Sequence, residues 1–160
     1  MDVKPTYEEL LKKNQELEQE AALRIKDMAE VAEKLELYSN LIENASDLIH
    51  SVTPDGSFIF VNQAWHDTLG YSTEDLTRLK LMGIVDDSGR SKGQDIFTCL
   101  LNGQAIDRNE TIFVAKDGRE VVVEGSCRTK FEDGQPVAMT GIFRDLSKLA
   151  QDAEALRESE

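Results

Sequence analysis

The chain has few cysteines and no long apolar run. Cys99 and Cys127 are its only cysteines, and neither stands in a CxxC or Cys/His spacing, which argues against both a zinc site and a disulfide framework. Both are expected to be reduced packing residues. The apolar runs are far shorter than the ~20 residues that cross a bilayer, and residues 1–30 lack the apolar core of a signal peptide. A cytoplasmic location, with no membrane partner in this segment, is therefore expected.

Basic residues are also scarce. Lys and Arg total 18 against 31 Asp and Glu, which gives a formal net charge of -13 at pH 7. This charge repels phosphate backbones and anionic membrane surfaces, so no nucleic-acid partner is expected. With 160 residues, 40% of them hydrophobic, the chain is long enough for one ordinary core and an accessory element.

Motifs of the common enzyme classes are missing. The chain has no GxGxxG, P-loop, HExxH or GxSxG. The acidic pair Asp86 and Asp87 lies beside Ser88 and Gly89 with no partner base implied, so solvated loop acids are the ordinary explanation. We therefore predict no catalytic residue and no metal site, and the segment is not expected to be an enzyme by itself.

Glycine and proline are absent from residues 6–42, where Glu, Lys, Leu, Ala and Gln dominate, and this composition predicts one long helix. Apolar residues recur there at heptad spacing, which predicts a coiled coil over residues 1–42. Asn14 favours a parallel pair because a buried amide is best satisfied by its own copy, whereas Arg24 interrupts the seam. A solvated helix that folds back on the domain is the alternative. The predicted dimer seam consists of Leu10, Asn14, Leu17, Ala21, Met28, Val31, Leu35 and Tyr38.

All ten glycines lie within residues 43–145, where short β-branched or aromatic runs alternate with turn signals. Two strands joined by "TPDG" are followed by several short helices, the first capped by Asn62, and then by three strands joined by Asp-Gly turns. The later helix is expected over residues 94–102, after a loop from Asp86 to Gly93. This order predicts an α+β fold with a five-stranded antiparallel sheet and helices on one face.

Residues 146–160 carry an apolar stripe at helical spacing and no glycine, asparagine or proline that would end a helix. The start of a C-terminal signalling helix is expected there. The chain is accordingly expected to be cut from a longer one, with an output domain beyond Glu160. The stripe consists of Leu146, Leu149, Ala153 and Leu156.

Three stretches of the sequence resemble the PAS-domain family. "VNQAWHDTLGYSTEDL" resembles its Asn after the second strand and its Gly-Tyr-Ser/Thr turn, and "KDGREVVVEGSCR" resembles its fourth strand. "GIFRDLSKLAQ" resembles its closing strand with an Asp-Ile-Thr type signature, here Asp145, Leu146 and Ser147. The resemblance covers about residues 40–148. It implies a sensor module that signals through flanking helices, commonly in bacterial histidine kinases, diguanylate cyclases and related regulators.

The same resemblance implies that Asp145, Leu146 and Ser147 form a signal junction. A carboxylate where a strand gives way to a helix can cap the first free amides and pair with a nearby base. A plain N-cap is the alternative. The candidate bases are Arg128, Lys130 and Arg144.

A small-molecule cavity between the sheet and the helices is the remaining candidate site. His50 alternates in phase with Leu48 and Val52, so it faces either this cavity or the outer side, and a structural role is favoured over a haem ligand. Haem-binding members usually present a histidine from the later helix, which here contains none, and the flavin-linking cysteine motif is absent. The sequence identifies no particular cofactor, and none is expected. The residues expected to line the cavity, or to fill an ordinary core, are Trp65, Leu69, Ile84, Ile96, Phe97, Leu100, Phe113 and Met139.

Together these patterns predict a dimeric sensory module. Two copies associate through the N-terminal helix and the outer face of the sheet, and a stimulus changes the rotation or register of the flanking helices. A downstream domain of the same chain then responds. Two alternatives are a dimerisation and spacing element without a ligand, and a sensor that binds haem or flavin.

Overall fold

The structure, a computed structural model, describes residues 3–158, except for the side chains of residues 148–150. The Leu149 side chain of the predicted stripe and residues 1, 2, 159 and 160 of the predicted end segments lie outside the described part. The chain divides into two units, Met1–Leu41 and Ile42–Glu160. The elements are α1 (Tyr7–Glu43), β1 (Leu48–Val52), β2 (Phe58–Val61), α2 (Gln63–Leu69), α3 (Thr73–Leu76), α4 (Leu81–Ile84), a 3-10 turn (Asp87–Gly89), α5 (Arg90–Leu101), β3 (Ile106–Val114), β4 (Glu120–Glu132), β5 (Gln135–Asp145) and α6 (Leu146–Glu158).

The long helix α1 begins with a capping box. The Thr6 hydroxyl accepts a hydrogen bond from the Glu9 backbone N–H at 3.1 Å, and the Glu9 carboxylate accepts one from the Thr6 N–H at 3.2 Å. These two bonds satisfy amides that have no partner inside the helix. All eight predicted seam side chains of α1 are exposed in the single chain. Such exposure leaves the apolar seam available to a partner.

The five strands form one antiparallel sheet in the order β2-β1-β5-β4-β3. The central strand is β5, which pairs with β1 on one side, with Leu48 opposite Phe143, and with β4 on the other, with Val123 opposite Asp145. The β4–β5 turn has positive φ at Asp133 (51°) and Gly134 (76°), as a tight hairpin requires. The α+β prediction with a five-stranded antiparallel sheet, a long N-terminal helix and a C-terminal helix is confirmed.

The start of α5 differs from the prediction. Gly89 and Gly93 indicated a loop up to residue 93, but the helix begins at Arg90 and includes Gly93. A Cβ at Gly93 would lie 3.0 Å from Cε of Met82, so the glycine allows Met82 to pack closely against the helix. The loop prediction was wrong because this glycine serves packing and not chain reversal.

Candidate functional site

A cavity of about 50 Å³ lies between the inner face of the sheet and helices α4 and α5. Of the predicted lining residues, Ile96, Phe97, Leu100 and Phe113 line it, as does His50. The other four predicted residues, Trp65, Leu69, Ile84 and Met139, are buried in the core without lining the cavity. Sequence reasoning missed the remaining lining residues, which are Leu81, Met82, Val85, Gly93, Asn109, Thr111, Cys127 and Phe143.

His50 enters the cavity wall from the inner face of β1. Its imidazole is 2% exposed and stacks on Phe143 with ring centroids 5.6 Å apart and planes within 9°. Phe113 and Phe58 contact the imidazole edge-on, with ring centroids 6.2 and 6.3 Å from its own. This burial lowers the pKa of His50 from its ordinary 6.5 to about 4, so the ring is neutral at pH 7. Its Nδ1 has no hydrogen-bond partner among the described residues.

Asn109 provides a second polar atom at the same cavity. It is 8% exposed on β3, and its Oδ1 accepts no hydrogen bond from any described residue. A buried acceptor without a donor costs about 1–3 kcal/mol. Asn109 alternates in phase with Thr111 and Phe113, and this period of two is the sequence signal that could have placed it on the inner face. The cavity therefore combines an apolar wall with two polar atoms that lack partners.

An open groove of about 430 Å³ adjoins the cavity between the first turns of α5 and β3. Asp86, Lys92 and Glu110 line this groove and give it a charged rim. Four residues line both spaces, so the groove and the cavity share part of their walls. These shared residues are Gly93, Ile96, Asn109 and Thr111.

The side chains that line the cavity are uncharged at pH 7. Among the described residues, the cavity lining contains no Asp, Glu, Lys or Arg. Burial raises the pKa of the Cys127 thiol to about 11, against a smaller opposing effect of the Arg128 charge, so this lining residue is also neutral at pH 7. The cavity is consequently suited to uncharged molecules, because charge buried there would lose its hydration without a counterion.

The predicted signal junction lies where β5 passes into α6. Asp145 is the last residue of β5 and half-buried, Leu146 begins α6, and Ser147 is exposed. Two of the candidate bases form ion pairs elsewhere: Arg128 with Asp107 at 2.6 Å and Lys130 with Glu132 at 3.4 Å. The third, Arg144, lies opposite Glu124 in the β4–β5 register. The role of the junction stays a prediction.

Neither a metal centre nor a membrane-spanning helix is found in the described part of the chain. Within residues 3–158, no group of three His, Cys, Asp or Glu side chains is arranged to hold a metal ion. In that same stretch, no helix combines the length and apolar character that crossing a membrane requires.

Solved structures with the same fold are numerous. A PAS domain from Desulfitobacterium hafniense is 21% identical, with 66% of this chain and 98% of that chain covered and a TM-score of 0.57. The PAS domain of an HTR-like protein from Haloarcula marismortui is 22% identical, with coverages of 71% and 98% and a TM-score of 0.58. A domain of a sensory box sensor histidine kinase/response regulator from Geobacter sulfurreducens is 25% identical, with coverages of 70% and 94% and a TM-score of 0.58.

The family comparison covers most of the second unit. No curated protein matches the chain. The model of the family described as PAS domain matches residues 46–148, which is more than half of the chain and includes the whole sheet. This chain therefore belongs to the PAS-domain family of sensory modules.

Proposed function

We propose that this chain is the input module of a bacterial two-component signalling protein, a histidine kinase, and that it senses a small uncharged molecule. The observation that carries the proposal is the pair of buried polar atoms, His50 Nδ1 and Asn109 Oδ1, which line one cavity and have no partner in the described part of the protein. A ligand that donates a hydrogen bond to Asn109 removes the cost of that unpaired acceptor. A second polar group of the same ligand, within reach of His50 Nδ1, would give that atom a partner as well.

The small volume of the cavity limits the size of the ligand and favours a mechanism in which binding repacks the core. About 50 Å³ is far below the ~300–1,000 Å³ of ordinary small-molecule sites, and so below that of a haem or flavin site. Any ligand with several heavy atoms must push side chains such as Met82 or Phe97 outward. Since a close-packed core responds to such displacement by repacking, binding shifts the domain between two arrangements.

The proposal includes a homodimer. Helix α1 has 37 residues, about 55 Å of helix, and its apolar seam is exposed in the single chain. On the outer face of the sheet, Phe60 is 38% and Ile142 45% exposed, and Ile142 lies beside Ile49 in the register. Each of these two surfaces exposes apolar side chains, which a second copy would cover.

Signal output follows from the flanking helices in this proposal. A change in the dimeric arrangement of α1 or at the Asp145 junction would alter α6 and an output domain that follows it. The free thiols of Cys99 and Cys127 support the reducing cytoplasm as the location.

A ligand screen tests the sensory part. We expect small neutral compounds with an N–H or O–H donor to raise the melting temperature, because binding to the folded state alone stabilises it. Carboxylate or ammonium analogues of the same shape serve as the control and should give no shift. Asn109→Leu should abolish the shift of the neutral compounds. If no compound binds, or if Asn109→Leu binds equally well, the proposed site is wrong.

Sedimentation equilibrium tests the dimer. The expected mass at micromolar concentration is twice the 17.9 kDa of one chain. A mass of one chain over the whole concentration range would refute the homodimer.

A further inference from the structure

The Asn62 side chain makes four hydrogen bonds in a fully buried position, with 0% of the residue exposed. Its Oδ1 accepts from the backbone N–H of Ile49 at 3.0 Å and of Trp65 at 3.2 Å. Its Nδ2 donates to the carbonyls of Ile42 and Asp47, both at 2.9 Å. The amide thus uses two acceptor and two donor positions, its entire capacity.

Asn62 thereby caps two helices at once. Trp65 lies in the first turn of α2, so the Oδ1 contact is the N-cap that the sequence predicts. Ile42 is in the last turn of α1, where carbonyls have no partner inside the helix. Its carbonyl accepts from the Ala45 N–H at 3.3 Å and, at the shorter distance, from the Asn62 amide 20 residues later. Ile42 itself belongs to the second unit, so within that unit the end of α1 from Ile42 onward depends on the Asn62 side chain.

The atoms around Asn62 are continuous with the cavity wall. Trp65 packs on Phe58 with ring centroids 5.2 Å apart, and Phe58 contacts the His50 ring. On β1, the residue whose N–H bonds to Asn62 is Ile49, the immediate neighbour of His50. Two short routes, one through aromatic rings and one along the strand, thus join the cavity to the same amide.

We propose that Asn62 is a positioning residue that couples the state of the cavity to the last turn of α1. This inference rests on the proposed sensory function, for which it supplies the connection between ligand and incoming helix. When a ligand displaces His50 and Phe58, β1 and α2 shift. This shift lengthens the hydrogen bond from the Asn62 side-chain amide to the Ile42 carbonyl. The last turn of α1 then opens more often, as a local unfolding event.

Asn62→Asp tests the cap. Aspartate keeps both acceptor positions, for Ile49 and Trp65, but places an oxygen where the amide donated to the carbonyls of Ile42 and Asp47. We expect backbone amide hydrogen exchange of residues 41–45 to become about fivefold faster or more, while protection of α2 persists. Asn62→Ser, an uncharged cap with too short a reach for Ile42, gives the same readout if the aspartate variant does not fold.

The matched control removes a different cap. The Ser72 hydroxyl accepts from the Asp75 N–H at 3.2 Å and caps α3 in the same way. Ser72→Ala should leave exchange at residues 41–45 unchanged, and amides of β4 and β5 report global unfolding in every variant. If both variants change residues 41–45 equally, or if neither does, Asn62 does not hold the end of α1.

A double-mutant cycle tests the coupling itself. His50→Ala removes a ring from the cavity wall and should change exchange at residues 41–45 severalfold when Asn62 is present. With Asn62→Asp, the same substitution should have no further effect on those residues. Equal effects of His50→Ala in both backgrounds would overturn the coupling. The cycle needs no ligand, so a failed ligand screen contradicts only the proposed function, and a failed cycle with ligand binding intact contradicts only this inference.

Discussion

Gly141 lies directly opposite His50 in the β1–β5 register, and a Cβ on Gly141 would stand 2.8 Å from Cε1 of the imidazole. The same Cβ would stand 2.7 Å from Cε2 of Phe143. Both rings are buried, so neither can yield without moving the core. The space that the imidazole occupies exists because position 141 has no side chain.

Gly141→Ala should therefore overpack the cavity wall. We expect it to lower the free energy of unfolding by about 1–3 kcal/mol, measured by urea denaturation. Gly83→Ala is the matched control, because a Cβ at Gly83 has no neighbour within 4 Å. If the two substitutions have equal effects, the close approach of Gly141 to the rings does not limit packing.

Stability should fall in mild acid because of His50. Its pKa is about 4 in the folded protein and about 6.5 when unfolded, so the unfolded state binds more protons between those values. The His50 contribution is therefore complete above pH 6.5 and is lost as the pH falls towards 4. The expected loss is about 3 kcal/mol between pH 7 and pH 4, measured by urea denaturation at each pH.

His50→Gln provides the control for this pH dependence. Glutamine does not titrate, so the variant should lack the loss between pH 7 and pH 4. Asp55 and Asp75, whose pKa values are held at about 2 by hydrogen bonds from Thr53 and Lys116 respectively, affect stability only at lower pH. Parallel stability curves for the variant and the unchanged protein would show that His50 is not the titrating group.

The same substitution should change the free energy of unfolding very differently at the two buried asparagines. Asn62→Leu leaves two amides and two carbonyls without their side-chain partner, and we expect a loss of about 3 kcal/mol or more. Asn109→Leu removes an acceptor that has no donor in the described part, and its effect should be within about 1 kcal/mol of zero or stabilising. Urea denaturation of both variants gives the comparison. Equal losses of unfolding free energy would contradict the conclusion that the Asn62 side chain is fully hydrogen-bonded and that the Asn109 Oδ1 is not.

The seam of α1 is testable through charge. Leu17→Glu places a carboxylate at a seam position that is apolar, and we expect the dimer to dissociate at micromolar concentration. Gln19→Glu introduces the same charge on the opposite side of the heptad and should leave the dimer intact. Sedimentation equilibrium separates the outcomes. If both variants keep the mass of the unchanged protein, the seam does not mediate dimerisation.

Local signals in the sequence predict most of the fold because they act over a few residues. The absence of glycine and proline determines α1, and the Asp133-Gly134 pair supplies the positive φ of the β4–β5 turn. Gly93 misled the prediction of α5 because the requirement that it meets, room for Met82, comes from another element. The sequence order alone does not contain that contact.

The candidate site was less predictable for the same reason. Asn62 is recognisable as a cap for α2. Its hydrogen bonds to the carbonyls of Ile42 and Asp47, however, reach residues that lie 20 and 15 positions earlier in the chain. Asn109 could have been found from strand alternation, whereas Met82 reaches the cavity from a four-residue helix with no periodic signal. The seam residues and the junction at Asp145 remain predictions.

The adjacency of the first and last strands has a consequence for how such a unit fits into a longer polypeptide. Because β1 and β5 are antiparallel neighbours, with Leu48 opposite Phe143, the chain reaches the sheet and leaves it at the same end. A unit of this kind can be inserted between two helical segments while keeping their attachment points one strand apart. Sliding or tilting of that single strand pair would move both attachment points together.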